Sequence, residues 1–139
     1  MAVLTLPQRS IRPAVVILRV EIVALTLATA WIHATLGSTL FLLNAIGYTV
    51  LAVAMVLPGP IGRVRWLVRY ALMAFAATTI AAWFAFGARF ELAYLSKAIE
   101  LALIGLLLVD SWVVDGGPLV VVRRLERIAA SAIRWRICY

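Results

Sequence analysis

The chain has 139 residues, of which 65% are apolar and only 14% are charged, and its formal net charge is +7. Soluble domains contain roughly 45–50% apolar and about 25% charged residues. A water-soluble fold of this length cannot bury so much apolar surface, so the composition excludes an ordinary soluble domain and indicates one domain surrounded largely by lipid.

Four long apolar segments follow a short N-terminal segment. Residues 1–13 are expected on the cytoplasmic side, and they lack the apolar core of a cleavable signal peptide, so we expect the first span to be retained. A helix that spans a membrane needs about 20 mostly apolar residues, and all four apolar segments have about that length or more. The predicted spans cover residues 14–36, 39–57, 64–86 and 91–114, and the stretches LGST, PGPIG and FGAR separate them. Such short connections favour antiparallel neighbours and predict an all-α fold, an up-down four-helix transmembrane bundle over residues 14–114.

The tail, residues 115–139, has a different character and begins with DGGP. Arginines recur in it at spacings of three and four, with apolar side chains between them. The basic face consists of Arg123, Arg124, Arg127 and Arg134. This pattern predicts a C-terminal amphipathic helix on the cytoplasmic membrane surface, with its arginines facing anionic lipid headgroups. Docking of a partner protein on the same surface is the alternative.

The cations are unequally divided between the two ends of the spans. Eleven of the thirteen lie in the N-terminal region, around the second connection, or in the tail, whereas the first connection has none and the third has only Arg89. The positive-inside rule therefore places both termini in the cytoplasm, and we expect a bacterial inner membrane. Because the arginines flank apolar runs, the positive charge needs no nucleic-acid partner.

Polar side chains inside the spans are the candidate functional residues. With a helical rise of about 1.5 Å per residue, they fall at two matching depths in the outer half of the bundle. The predicted upper layer consists of His33, Asn44, Tyr94 and Lys97, and the lower layer of Tyr48, Glu100 and either Thr78 or Thr79.

The stretch AYLSKAIELALIG places two opposite charges, Lys97 and Glu100, in an apolar span. Residues three apart share a helix face, and a charge in the bilayer costs at least about 2.5–3.5 kcal/mol, so we expect the two to pair inside the bundle. One interpretation is an ion pair that fixes helix register. The other is a small polar cavity, open to the outside, that binds a ligand or passes a proton. A matched pair needs no further function, which favours the first.

A second group of charges lies near the cytoplasmic ends of the spans. It consists of Arg19, Glu21, Arg69 and Asp110. We expect structural ion pairs among them, with a transport role as the alternative.

Small residues recur at i, i+4 along the third span. Two such rows are Ala74, Thr78 and Ala82, and Ala77, Ala81 and Ala85. Small side chains let helices approach closely, so this helix is expected at the centre of the bundle or at an oligomer contact.

Two resemblances bear on function. Four spans with Glu21 in the first resemble the small multidrug transporters, in which a first-span glutamate couples proton and substrate. Those proteins often work as antiparallel pairs with little charge bias, and the strong bias here departs from that pattern. The stretches WIHATLG, FLLNAIGY, LPGP and YLSKAIELALI resemble small uncharacterised four-helix bacterial membrane proteins. That resemblance implies no activity.

No nucleophile–base pair, phosphate-binding loop or paired-carboxylate arrangement stands out in the sequence. A single Cys and a single His predict no disulfide, no metal site and no cofactor. We therefore expect a non-enzymatic accessory or interaction subunit of a membrane complex, with lipid, other membrane subunits or a second copy as partners. The alternative is a transporter-like protein that handles a small ligand or protons through the outer polar residues.

Overall fold

The computed structural model describes residues 13–58, 62, 64–117, 119–120, 122–123 and 126–127, and the regular structure of these residues is helical. The four helices are α1 (Pro13–Thr35), α2 (Thr39–Val56), α3 (Arg65–Phe86) and α4 (Glu91–Asp115). They correspond to the four predicted spans. All four are long and apolar enough to cross a membrane, with mean hydropathies between 1.5 and 2.0. The chain is therefore a membrane protein with four candidate spans.

Local chemistry accounts for several helix ends. Ser38 caps α2, since its hydroxyl accepts a hydrogen bond from the Phe41 amide at 3.4 Å. The same helix stops before Pro58, which disfavours helical geometry in the residue that precedes it. Gly116 ends α4 with φ = 81°, a left-handed conformation that side chains with a Cβ adopt at a cost.

The helices form a four-membered bundle in which each helix packs against two others. Helix α1 contacts α2 and α4, and α3 contacts the same two helices, so α1 and α3 lie diagonally opposite. Neighbours run antiparallel: the start of α3 meets the end of α4 through Arg69 and Asp115. This is the predicted up-down arrangement.

Side chains are distributed in the reverse of a soluble protein. Large apolar residues cover the outside; the side chains of Leu40, Phe86 and Trp31 are 74%, 84% and 73% exposed. The interior combines an apolar core with buried polar and charged groups. The core consists of Ile22, Ala30, Tyr48, Met55, Leu72, Ala76, Leu103 and Leu107. The buried polar residues are Thr26, Thr29, His33, Arg69, Thr79, Ser96, Lys97, Glu100, Asp110 and Ser111. Polar groups inside and apolar groups outside suit a bundle whose solvent is hydrocarbon.

The predicted surface helix of the tail falls mostly outside the described residues. Arg124 and Arg134 lie outside them, as do residues 1–12 of the N-terminal segment. Of the basic face, Arg123 and Arg127 are described; both are exposed, and the Arg127 Nε donates to the Arg123 carbonyl at 3.3 Å.

Candidate functional site

The carboxylate of Glu100 is the centre of a buried polar cluster, here called the Glu100 cluster, made of His33, Tyr48, Thr79, Ser96, Lys97 and Glu100. The Lys97 ammonium donates to both carboxylate oxygens, at 2.8 Å to Oε1 and 2.7 Å to Oε2. Ser96 lies one turn before Glu100, and its hydroxyl donates to Oε1 at 3.4 Å. Glu100 itself is fully buried. The pair is therefore neutral as a unit and enclosed by protein.

Two hydroxyl groups extend this cluster across three helices. The Thr79 hydroxyl, on α3, donates to Glu100 Oε2 at 2.8 Å and lies 2.9 Å from the Tyr48 hydroxyl on α2. Because Thr79 has one hydroxyl proton, donating it to Glu100 leaves its oxygen to accept from Tyr48. The hydrogen bonds then run in one direction, from Tyr48 through Thr79 to the carboxylate, and they tie α2 and α3 to α4.

His33 brings α1 to the same carboxylate. Its Nδ1 lies 2.9 Å from the Thr29 carbonyl oxygen, and since a carbonyl only accepts, Nδ1 carries the proton. Nε2 faces Glu100 Oε1 at 3.8 Å. In the neutral ring this nitrogen is an acceptor opposite another acceptor, so an added proton on Nε2 would be directed toward the carboxylate.

Three of the predicted site residues form no hydrogen bond or ion pair with the described side chains of the Glu100 cluster. Thr78 is exposed, and its hydroxyl donates to the Ala74 carbonyl at 2.8 Å. Tyr94 is 50% exposed and packs edge-on against Trp83, with ring centroids 5.1 Å apart. Asn44 is half-buried and hydrogen-bonds to none of the other described side chains. The hydrogen bonds and ion pairs of the described site residues therefore form one cluster around Glu100 and not the two predicted layers.

Ser96 is a cluster member that the sequence reasoning missed. A small residue in an apolar run gives little signal by itself, although Ser96 lies four residues before Glu100. At about 100° per residue, that spacing puts the two within about 40° on the helix face, whereas Tyr94 lies about 120° away from Glu100.

A second buried set of charges, here called the Arg69 cluster, lies where α3 begins and α4 ends. It consists of Arg19, Arg69, Asp110 and Asp115. Arg69 is 1% exposed, its Nη2 lies 2.6 Å from Asp110 Oδ2, and its Nη1 contacts Asp115 Oδ2. The Arg19 Nε approaches Asp110 Oδ1 only to 4.0 Å. The sequence reasoning placed Asp115 in the turn and missed its role as the second carboxylate for Arg69.

Glu21 is not part of the Arg69 cluster. Its side chain is exposed on α1 and lines a groove between α1 and α4 of about 370 Å³, and it pairs with no other described residue. The expected structural pairing within the four inner charges therefore involves Arg19, Arg69 and Asp110 but leaves Glu21 outside. The reason is geometric: residues 19 and 21 are two apart on a helix and point about 160° apart.

Comparison with known proteins adds nothing to this geometry. No protein family, curated protein or solved structure matches the chain. The arrangement offers two kinds of chemistry: a neutral buried pair with one further protonatable nitrogen, and a carboxylate that faces the surroundings of the bundle.

Proposed function

We propose that this chain is a non-enzymatic, multi-pass protein of a bacterial inner membrane that acts as an accessory or interaction subunit of a membrane complex. The observation that carries the proposal is the exposed carboxylate of Glu21, which faces outward from a candidate span without a partner among the described residues. A charge that faces hydrocarbon is costly, and a neighbouring helix with a cation or hydrogen-bond donor removes that cost.

The groove around Glu21 fits a helix from a partner. Its walls are otherwise apolar, and they come from α1 and α4. The lining residues are Ala14, Val15, Ile17, Leu18, Glu21, Val109 and Val113. Glu21 lies eight residues after the start of α1, about 12 Å along the helix axis. The fitting partner is therefore a transmembrane helix with an apolar surface and a Lys or Arg at that depth.

The two buried clusters support an interaction role over a transport role. Glu100 is matched by Lys97 and Arg69 by Asp110 and Asp115, so these charges satisfy one another inside the bundle. The α1–α4 groove lies outside the bundle, and none of its lining residues belongs to the Glu100 cluster. Binding at this groove would leave both clusters intact.

The proposed orientation has both termini in the cytoplasm, which follows from the excess of cations on that side of the spans. The described Arg123 and Arg127 then lie at the inner leaflet, where anionic headgroups attract them. This arrangement puts the Glu21 groove in the cytoplasmic half of the membrane.

Site-specific photocrosslinking tests the proposal. A photoreactive residue at Val113, which lines the groove, should capture one defined partner helix in membranes of the native host. Glu21→Gln and Glu21→Leu should weaken that capture at least tenfold. The matched control is Glu91→Gln, an acid-to-amide change at an exposed residue at the opposite end of the bundle.

The outcomes separate the possible partners. Capture of a distinct membrane protein that depends on Glu21 supports the proposal. Crosslinking only between copies of this chain would replace it with self-association, for which the exposed small residues of α3, including Ala77 and Ala81, offer a further surface. A single small species in gentle detergent, with no crosslink at Val113, would contradict both.

A second candidate function is handling of protons or a small ligand by the Glu100 cluster. Two observations favour it. The Nε2 of His33 is directed at Glu100, and the hydroxyl of Thr29, one turn before His33, is fully buried without a hydrogen-bond partner among the described residues. A buried unpartnered hydroxyl marks a place where water or a small polar group can bind.

Proteoliposomes loaded with a pH-sensitive dye test this second candidate. Proton uptake should require His33 and Glu100 and be abolished by His33→Phe. The double replacement Lys97→Met with Glu100→Leu removes both charges together. If that double variant folds and keeps its partner but loses proton uptake or a cellular phenotype, the cluster is functional; if both persist, the cluster is structural.

A further inference from the structure

A groove on the other side of α1 contains two arginines and is otherwise apolar. It has a volume of about 510 Å³ and is bounded by α1, the end of α2 and the start of α3. Its lining residues are Val16, Arg19, Val20, Val23, Ala24, Leu27, Met55, Val56 and Arg65. From Val16 to Leu27 it follows α1 for about 16 Å, close to the depth of one leaflet of a hydrocarbon core about 30 Å thick.

The positive charges of the two arginines in this groove are only partly balanced by carboxylates of the described residues. Arg69 pairs with both nearby carboxylates: its Nη2 lies 2.6 Å from Asp110 Oδ2, and its Nη1 contacts Asp115 Oδ2. Arg19 reaches Asp110 only at 4.0 Å. Arg65 donates to the Leu57 carbonyl at 3.3 Å and pairs with no carboxylate among the described residues. The guanidinium groups of Arg19, Arg65 and Arg69 thus share two carboxylates, those of Asp110 and Asp115, since Glu21 faces the other side of α1.

The Nε atoms of Arg19 and Arg65 also lack hydrogen-bond partners among the described residues, although both atoms are buried. Guanidinium groups bind phosphate oxygens in a planar, two-pronged geometry, so a phosphate in the groove can bind the terminal nitrogen atoms of both arginines. The groove therefore combines an apolar channel of leaflet depth with two incompletely paired arginines at one end.

We infer that this groove holds one anionic phospholipid, with its phosphate between Arg19 and Arg65 and an acyl chain along Val20, Ala24 and Leu27. The anion supplies the charge that balances the third guanidinium group. The acyl chain covers α1 side chains that are exposed at this surface, among them Val20 at 63%. The site is distinct from the Glu21 groove, which lies on the opposite side of α1, and its existence does not depend on the proposed interaction role.

Native mass spectrometry of the full-length protein tests this inference. The protein is exchanged into nanodiscs containing equal amounts of phosphatidylglycerol and phosphatidylcholine and then released for analysis. The wild type should retain one phosphatidylglycerol in preference to phosphatidylcholine. Arg19→Gln with Arg65→Gln should reduce that retention at least tenfold, while Arg89→Gln, a cation at the opposite end of the bundle, should leave it unchanged.

A second variant separates the lipid site from general charge attraction. Ala24→Trp fills the groove at an exposed position and keeps both arginines, and it should also lose the bound lipid. Thermal unfolding of each variant identifies any that fail to fold, and the remaining variants decide the result. Equal retention of the two lipids, or a lipid retained by Ala24→Trp, would overturn the inference. So would an arginine variant that changes oligomeric state but not bound lipid, since the groove would then be a protein interface.

Discussion

Replacing Arg69 by Met should destabilise the bundle more than any change to one of the carboxylates that it binds. Arg69→Met leaves two carboxylates, Asp110 and Asp115, without their cation; Asp110 is fully buried, and only Arg19 remains near it, at 4.0 Å. Removing one partner of a buried ion pair typically costs about 3–5 kcal/mol because the remaining charge is buried alone. We expect a loss in that range for Arg69→Met.

Asp110→Asn should cost less, because Arg69 keeps its contact with Asp115. The loss is then one of the two carboxylates that pair with Arg69, a smaller change than leaving both carboxylates without their cation. Replacing all three residues, with Arg69→Met, Asp110→Asn and Asp115→Asn, leaves neither carboxylate without a cation and should recover part of the loss, although Arg19 loses its 4.0 Å contact with Asp110.

Unfolding in mixed micelles with increasing SDS, followed by tryptophan fluorescence, measures these differences. The chain has five tryptophans, of which Trp66 on α3 and Trp112 on α4 lie near the Arg69 cluster, so the signal reports unfolding of the bundle as a whole. Arg89→Gln at the opposite end is the control and should shift the free energy of unfolding by less than about 0.5 kcal/mol. Equal losses for Arg69→Met and Asp110→Asn, or a triple variant no more stable than Arg69→Met, would refute the reasoning.

Three further predictions use the same unfolding assay. Lys97→Met and Glu100→Leu should each lower the free energy of unfolding by about 3–5 kcal/mol, and the double variant should recover most of it; simple addition of the two losses would contradict the pairing. Thr79→Val removes a buried donor to Glu100 and should cost about 1–3 kcal/mol, whereas Thr78→Val on the exposed side should be nearly neutral; equal effects would contradict the observed helix rotation. Gly116→Ala should cost about 1–2 kcal/mol because of the left-handed backbone, and no change would show that this turn can readjust.

The helices were predictable because lipid imposes a strong pattern on the sequence. A span needs a continuous apolar run, and the breakers at LGST, PGPIG and FGAR are few and clear. The i, i+3 spacing of Lys97 and Glu100 was equally informative, since it fixes a shared face whatever the neighbouring helices do. The structure has both the four helices and this contact.

The composition of the cluster was not predictable to the same degree, because depth along a helix can be read from sequence but rotation about its axis cannot. Thr78 and Thr79 lie at nearly the same depth and differ by about 100° in direction. An apolar face would normally decide between them, but in lipid both the outside and the core are apolar, so hydrophobic periodicity is weak. The outward position of Glu21 escaped prediction for the same reason.

The two buried clusters differ in what they contribute to the bundle. Lys97 and Glu100 lie on one helix, so their pairing persists when α4 is separated from its neighbours and lowers the cost of inserting that helix into the membrane. Arg69 and Asp110 lie on different helices and meet only when α3 and α4 pack. Neutralising Lys97 and Glu100 together should therefore restore almost full stability, since the Thr79 hydroxyl can donate to the Ala76 carbonyl, 2.8 Å away, once the carboxylate is gone.

Neutralising the Arg69 cluster should restore stability only in part. The interhelical contact itself is lost, and such contacts contribute about 0.6 kcal/mol on average and up to about 1.7 kcal/mol in helical membrane proteins. A deficit of that size in the Arg69 triple variant, with little or none in the Lys97–Glu100 double variant, would separate a pair that helps one helix enter the membrane from a cluster that joins two helices.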